Sequence, residues 1–111
     1  MQRIEIIGNV CDQAQIKEIN NNQLISFSVA VNESFSQNGE KQTKTTFFDC
    51  SKWGNNTSVA QFIKKGDLIF VSGKPNNRAY QKEDGTIQVV NAINVYEIEL
   101  LGSSNNQNKQ Q

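Results

Sequence analysis

Residues 56–74 read NTSVAQFIKKGDLIFVSGK, and this stretch contains the one segment of the chain whose pattern favours a helix. Val59, Phe62 and Ile63 have the i, i+3, i+4 spacing of an apolar helical face. Polar residues able to cap a helix precede them, and a Lys-Lys-Gly sequence that favours its end follows. The run LIFVSGK at 68–74 then predicts a strand, so the sequence indicates a short helix leading into β structure.

Runs rich in β-branched and aromatic residues lie on both sides of this helix. Residues 24–31 alternate between apolar and small polar side chains, as expected of a strand with one buried face. A Glu-Asp-Gly sequence near residue 85 favours a hairpin. The predicted strands are 4–10, with a short continuation over 15–19, then 24–31, 44–52, 68–74, a hairpin of 79–82 and 86–90, and finally 93–101.

The order of these elements predicts the fold class. Five principal strands with one short helix between the third and the fourth are typical of the OB-fold, a small β-barrel. We therefore predict an all-β protein, a five-stranded OB-fold barrel with one short helix between strands 3 and 4. Gly8 predicts a bulge or sharp bend in the first strand. Residues 1–102 form this domain, and residues 103–111, which lack apolar side chains, are expected to be a disordered polar tail.

The charge of the chain is balanced overall but uneven along its length. Eleven basic and eleven acidic residues give no net charge, yet residues 41–82 hold eight cations and two anions. A basic segment can present a cationic face to a polyanion, although a merely uneven solvated surface is the alternative. The chain begins without an apolar signal region and has no apolar run of membrane-spanning length, so we expect a cytoplasmic protein with no membrane partner.

The residues that most often carry catalysis or bind metal are missing from the sequence. The chain has no His, and its two cysteines, Cys11 and Cys50, lack the spacing of a zinc site. Two reduced thiols are expected in a cytosolic protein, although the sequence leaves a disulfide open. Asp49 next to Cys50 could form a base–thiol pair, but a strand residue beside a small buried side chain is the simpler interpretation. We expect no enzyme, no cofactor and no metal.

The nine aromatic residues fall into two groups. Phe27, Phe62 and Phe70 lie in apolar patterns and are predicted to belong to the core. Others lie among polar or basic residues, and of the adjacent pair at 47 and 48 at least one must point away from the core. Proteins that bind single-stranded nucleic acid use exposed rings on which bases stack, with cations beside them for the phosphates. Alternatively, these rings could cap the barrel ends or pack in a subunit interface. The rings that stand out are Phe35, Trp53, Tyr80 and one of the adjacent pair Phe47 and Phe48.

Several segments, in the right order, resemble the bacterial single-stranded DNA-binding protein family (SSB). The resemblance extends from Arg3 to Gly102, and no single segment would carry it alone. The matching segments are IEIIGNV at 4–10, FSVAVNE at 27–33, TTFFDCSKWG at 45–54, FIKKGD at 62–67, the hairpin at 78–85, and IELLG at 98–102.

The resemblance implies sequence-independent binding and protection of single-stranded DNA in replication, repair, recombination or conjugative transfer. It implies a homotetramer wrapped by the strand, with a dimer as the alternative because Phe48 stands where the family usually has a His. The implied stacking residues are Phe35, Phe47, Trp53 and Tyr80, and the implied phosphate contacts are Lys44, Lys52, Lys74, Arg78 and Lys82.

The end of the chain departs from the family. The tail of family members normally closes in an acidic tip ending in Pro-Phe, which recruits other enzymes, whereas residues 105–111 read NNQNKQQ. Partner enzymes recruited through such a tip are therefore not expected. Two other binding functions stay open from the sequence: an RNA-binding OB domain and an OB domain that docks other proteins.

Overall fold

The computed structural model describes residues 1–102, mostly as β-strands. The expected polar tail at 103–111 lies outside the described residues. One turn of 3₁₀ helix, Ser58–Phe62, lies between the fourth and fifth strands. The strands are β1 (Ile4–Val10), β2 (Gln15–Ile19), β3 (Asn22–Gln37), β4 (Glu40–Trp53), β5 (Leu68–Pro75), β6 (Arg78–Gln81), β7 (Ile87–Val90) and β8 (Ala92–Gly102).

Five of these strands close into a barrel. The main sheet has the order β1-β5-β8-β4-β3-β2, and β1 pairs with β3 as well, so that β1, β3, β4, β5 and β8 form a ring. The β4–β8 pair is parallel and the other pairs are antiparallel. This is the five-stranded barrel of the OB-fold, with the helix between barrel strands 3 and 4, and the predicted fold class is confirmed. β2 lies outside the ring, beside β3, and β6 and β7 form a separate hairpin.

The alternation predicted over residues 24–31 is present in β3 and defines the core. Ile25, Phe27 and Val29 point inward and are buried, and they pack in one cluster with Ile69 and Val71 of β5. The intervening residues of β3 face outward. Because the side-chain period of a strand is two, one face of β3 closes the barrel while the other stays available at the surface.

Gly8 is required by a close approach rather than by a bulge. A Cβ at this position would collide with the backbone carbonyl oxygen of Ala30, at the point where β1 meets β3. The pairing of β1 with β5 runs from Ile4 to Asn9 without a register shift, which excludes the bulge, one of the two alternatives predicted at Gly8. The register shifts of the barrel lie in the β5–β8 pair instead.

The predicted helix exists, but it is a single 3₁₀ turn, and this changes its buried face. With three residues per turn, positions i and i+3 share a side. Ala60 and Ile63 are buried on one side, whereas Phe62 is 55% exposed. The prediction that Phe62 belongs to the core is therefore wrong, because it assumed the α-helical period. The same prediction for Phe70 is also wrong, since it alternates with the buried Ile69 and Val71 and is half-buried on the outer face of β5. Within residues 1–102, no helix is long and apolar enough to cross a membrane.

β3 and β4 extend well beyond the barrel as a two-stranded ribbon, here called the arm (residues 32–45). The turn at its end is Asn38-Gly39, with φ values of 55° and 79°, as a two-residue hairpin turn requires. Residues 32–43 form a polar stretch with no apolar alternation, and in the structure they continue β3 and β4 on the two sides of this turn. A ribbon exposed on both faces needs no apolar alternation, so the hydrophobic pattern could not indicate the strands.

Candidate nucleic-acid interface

The outer face of β2, β3 and β4 forms one continuous surface, here called the platform. The pairing sets Leu24 opposite Trp53 and Ala30 opposite Phe47, and directly paired residues point to the same side of a sheet. The same register brings Lys17 of β2 beside Leu24. The platform comprises Lys17 and Ile19 of β2, Leu24, Ser26, Ser28 and Ala30 of β3, and Phe47, Asp49, Ser51 and Trp53 of β4.

Two aromatic rings mark the ends of the platform. Phe47 is 60% exposed and Trp53 is 48% exposed, and the residues between them on this face are polar. Six positions of strand separate the two rings by about 20 Å. Phe48 points the other way and packs against the core, so the adjacent phenylalanines face opposite sides as predicted. This face of β4 therefore exposes two aromatic rings to solvent on one rigid strand.

Two grooves connect the rings. One, of about 440 Å³, lies over the serines of β3 and β4 and is bordered by Trp53, Lys17 and Arg78. The other, of about 340 Å³, runs beside Phe47 toward Gln88 and its neighbours on β7. Asp49 lines both grooves. The grooves meet at this carboxylate and together form a path across the platform.

Asp49 and Arg78 face each other across this path. Arg78 Nη2 lies 4.0 Å from Asp49 Oδ2, and both side chains are more than half exposed. The Ser28 hydroxyl donates a hydrogen bond of 3.2 Å to Asp49 Oδ1. An exposed pair at this distance contributes little to stability, so the guanidinium remains available to a phosphate.

Backbone hydrogen bonds explain why the hairpin that carries Arg78 stands beside Asp49. The Asp49 amide donates to the Asn91 carbonyl over 2.9 Å, next to the start of the parallel β4–β8 pairing. The Asn76 amide donates to the Ala92 carbonyl, and the Ala92 amide donates to Asn77 Oδ1. These bonds attach both ends of the β6–β7 hairpin to the barrel at the level of Asp49.

Tyr80 extends this surface along the hairpin. It lies two residues after Arg78 on β6 and therefore on the same face, directly opposite Gln88 of β7. Gln88 lines the groove beside Phe47, and the Tyr80 ring is exposed. Lys82 follows at the hairpin turn, where its amide donates to the Thr86 carbonyl.

Phe35 and Lys44 lie elsewhere, on the arm. Phe35 is paired with Gln42, and Lys44 with Glu33, so these side chains belong to the face of the ladder opposite to the one that carries Phe47. The ring of Phe35 is exposed, yet the structure does not bring it to the platform.

Two further predicted cations are also separate from the platform. Lys52 is paired with Ile25, on the core side of the ladder, and is half-buried at the barrel end. Lys74 lines a depression of about 200 Å³ with Arg3 and Tyr96. Of the nine predicted site residues, the structure groups Phe47, Trp53, Arg78 and Tyr80, with Lys82 close by in sequence. Contacts with a ligand at all nine stay predictions.

Sequence reasoning missed two residues of the path, Lys17 and Asp49. Lys17 lies in the acidic N-terminal flank, so a charge sum over segments concealed it. Its place on the platform follows only from the pairing of β2 with β3. For Asp49 a signal was available, since it is two residues from Phe47 in a predicted strand and must share its face.

The thiol of Cys50 is buried in the core and takes no part in this surface. Both cysteines are free. Burial, and to a lesser degree the charge of Asp49, raises the pKa of the Cys50 thiol to about 12, so it stays protonated at neutral pH. Asp49 points to the opposite face of the same strand. The interpretation of these neighbours as a catalytic base–thiol pair is therefore wrong.

Fold and surface together define a class: an OB-fold barrel that displays aromatic rings and cations on one outer face, as binders of single strands do. The comparison with known families is specific. The model of the "Single-strand binding protein family" matches residues 1–101, and the chain belongs to that family.

Curated relatives carry related names. The chain is 32% identical to "Single-stranded DNA-binding protein 3" of Clostridium acetobutylicum, over 96% of this chain and 76% of that protein. It is also 32% identical to "Single-stranded DNA-binding protein 1" of the same organism, over 91% of this chain and 94% of that protein. With the "Single-stranded DNA-binding protein" of Neisseria meningitidis it shares 26% identity, and it spans 62% of that relative's length.

Solved structures share the fold. A chain described as "Plasmodium falciparum SSB complex with ssDNA" superposes with a TM-score of 0.75 at 22% identity, over 91% of this chain and 95% of that chain. The small single-stranded DNA-binding protein from Streptomyces coelicolor superposes with a TM-score of 0.73 at 21% identity, over 88% and 92%. At these identities the likeness concerns the fold.

Proposed function

We propose that this protein binds single-stranded DNA across the platform without requiring a particular sequence. The observation that carries the proposal is the alignment of Phe47 and Trp53 on one face of β4, joined by two grooves with Arg78 beside them. Bases stack on the two rings, each contributing roughly 1–3 kcal/mol, while the backbone follows the path between them. Tyr80 provides a further ring on the hairpin.

Arg78 and Lys17 are the cations best placed to contact phosphates on this path, because both line the groove that contains Trp53. Lys82 contacts the strand where it leaves along the hairpin. Phe35 and Lys44 bind a more distant part of the strand on the arm, and Lys52 and Lys74 bind it at the barrel end. Each phosphate neutralised lowers the log–log salt slope of the affinity by about 0.7.

The proposed assembly is a homotetramer, with a dimer as the alternative. Within residues 1–102, Ile4, Glu5, Ile6 and Ile7 of β1 pair only with β5, and their other backbone edge has no partner strand. Ile7 is an exposed apolar side chain next to Phe70 on the outer face of this edge. Pairing with a second copy would cover both features. Sedimentation velocity gives the assembly state directly.

The biological role that fits this activity is protection of exposed single strands in replication, repair, recombination or conjugative transfer. The mechanism is equilibrium binding with no bond made or broken, which agrees with a binding protein rather than an enzyme. It also requires a compartment that holds DNA, in agreement with the cytoplasmic localisation expected from the sequence.

The test uses Trp53, the only tryptophan of the chain, as its reporter. Titration with single-stranded oligonucleotides should quench its fluorescence, and raising the salt should reverse the quenching. Duplex DNA of the same length is the control and should leave the fluorescence unchanged. An equal response to duplex, or no binding in a parallel gel shift, would contradict the proposal, and stronger binding of an RNA of the same sequence would favour the RNA-binding alternative.

A further inference from the structure

Asp49 is an anion at the centre of the path proposed for a polyanion. It lies on the same strand face as Phe47 and Trp53, two residues from the first ring and four from the second. It lines both grooves, whereas the charged groups around it, Arg78 and Lys17, are cations. A single strand of DNA that crosses the platform from Phe47 to Trp53 must pass this carboxylate.

The carboxylate is not saturated by its protein neighbours. Oδ1 accepts one hydrogen bond from Ser28, and Oδ2 lies 4.0 Å from Arg78, beyond hydrogen-bond distance. An ionised carboxylate has about four lone-pair sites, so most of its accepting capacity is directed to solvent. The backbone bond from Asp49 to Asn91 holds the residue in place. A ligand group that passes here therefore meets an exposed hydrogen-bond acceptor whose main chain is held in place.

The charge decides which part of a nucleotide can occupy this position. A phosphate is repelled by Asp49 and attracted by Arg78, so the backbone lies on the arginine side and the base edge on the aspartate side. The exocyclic amino groups of cytosine and adenine are donors, and acidic side chains accept from cytosine N4. Thymine and uracil present the O4 carbonyl at the same place, where two acceptors would face each other.

We propose that Asp49 is a specificity-determining residue that favours amino-bearing bases, cytosine above all, over thymine or uracil at the centre of the platform. The inference rests on the proposed function, because it assumes that the strand follows the path between Phe47 and Trp53. It makes the binding biased in composition while it remains independent of sequence order.

The experiment compares fluorescently labelled oligo(dC) and oligo(dU) of equal length by anisotropy at pH 8. These two oligonucleotides differ at the C4 amino group and the adjacent N3, and neither carries the thymine methyl group. The ratio of the two Kd values is measured for the wild type and for Asp49→Asn. We expect Asp49→Asn to lower the preference for oligo(dC) by about fivefold to tenfold, since the amide can also donate to O4.

Glu18→Gln is the matched control. Glu18 is an exposed carboxylate of β2 next to Lys17, but it points to the face opposite the platform. Its substitution removes the same charge, so it should change both affinities equally and leave the ratio unaltered. A change of ratio in Glu18→Gln as large as that in Asp49→Asn would overturn the inference, since charge alone would then account for it.

A second measurement leaves the protein untouched. Oligo(dC) with dimethylated N4 keeps the ring but loses both amino protons, and we expect the wild type to bind it about as weakly as oligo(dU). If the methylated and unmethylated oligonucleotides bind equally, or if the dC/dU ratio is the same in wild type and Asp49→Asn, Asp49 does not read the base. Failure of the folded wild type to bind any of these oligonucleotides would instead refute the proposed function itself.

Discussion

The platform and the arm share β3 and β4 and carry the same kinds of residues, yet their physical support differs. Behind the platform, Phe27 and Val29 of β3 pack into the core together with Cys50 of β4, so neither strand can move without disturbing the barrel. The arm is a two-stranded ribbon whose residues are exposed on both faces. An exposed ring is a prepared binding surface only where the other face of its strand is packed.

The arm is held by local interactions. Its turn uses Asn38 and Gly39, and the Thr45 hydroxyl donates to Asn32 Oδ1 over 2.6 Å near its base. A two-stranded hairpin on its own is marginally stable in water. Single-stranded DNA that binds to Phe35 must therefore also order the arm, and the cost of this ordering reduces the affinity gained there.

The largest expected effect concerns stability. Ile25→Ala removes a side chain that is 1% exposed behind the platform and should lower the free energy of unfolding by roughly 2–5 kcal/mol. Phe35→Ala on the arm should change it by no more than about 0.5 kcal/mol, as is usual at exposed positions. Urea unfolding of both variants measures the difference. Equal losses would show that the arm is packed against another part of the assembly.

Base stacking should also contribute more to the binding affinity on the platform than on the arm. Trp53→Ala should weaken binding of single-stranded DNA by roughly 1–3 kcal/mol, and Phe35→Ala by less, because binding at the arm includes its ordering. Anisotropy of a labelled oligonucleotide gives the affinities, since the first substitution removes the only tryptophan. Phe62→Ala, which removes an exposed ring away from the platform, is the control and should bind as the wild type does. A larger loss of affinity for Phe35→Ala than for Trp53→Ala would show that the arm contributes more to binding than the platform does.

The salt dependence of the DNA affinity distinguishes the phosphate contacts of the platform from those of the arm. Arg78→Gln and Lys17→Gln should each make the log–log salt slope shallower by about 0.7, one contact each. Lys65→Gln, an exposed cation that does not line the path, should leave the slope unchanged. The response of Lys44→Gln then tells whether the arm neutralises a phosphate as the platform does. An unchanged slope for both Arg78→Gln and Lys17→Gln would place the backbone outside the groove.

The smallest effect tests the β6–β7 hairpin, which like the arm depends on its turn. The hydroxyl and amide of Thr86 donate to Asp84 Oδ1 over 2.6 and 3.0 Å and lower the pKa of this carboxyl. Because the pKa is lower in the folded state, the stabilisation is present at neutral pH and is lost as the pH falls through the folded-state pKa. Thr86→Val removes the hydroxyl, and NMR titration should show the Asp84 pKa rising toward its ordinary value. A pKa unchanged in that variant would mean that the backbone bond alone lowers it.

The sequence predicted most of the barrel because burial leaves a pattern in it. The alternation of residues 24–31, the hairpin near Gly85 and the position of the helix between barrel strands 3 and 4 are all present in the structure. The failures have physical causes. Phe62 was assigned to the core with the wrong helical period, and the strands of the arm carry no apolar pattern because neither of their faces is buried.

The sequence by itself determined which segments build an OB-fold barrel and marked Phe35, Trp53 and Tyr80 as rings outside its core, since both follow from the distribution of apolar side chains along the chain. Only the tertiary structure decided which of the exposed residues face one another. Strand register brought Lys17 onto the platform, turned Phe35 away from it and set Asp49 between the two rings opposite Arg78. Strand register and hairpin placement depend on contacts between segments that are distant in the sequence, so a local pattern of side chains does not predict them.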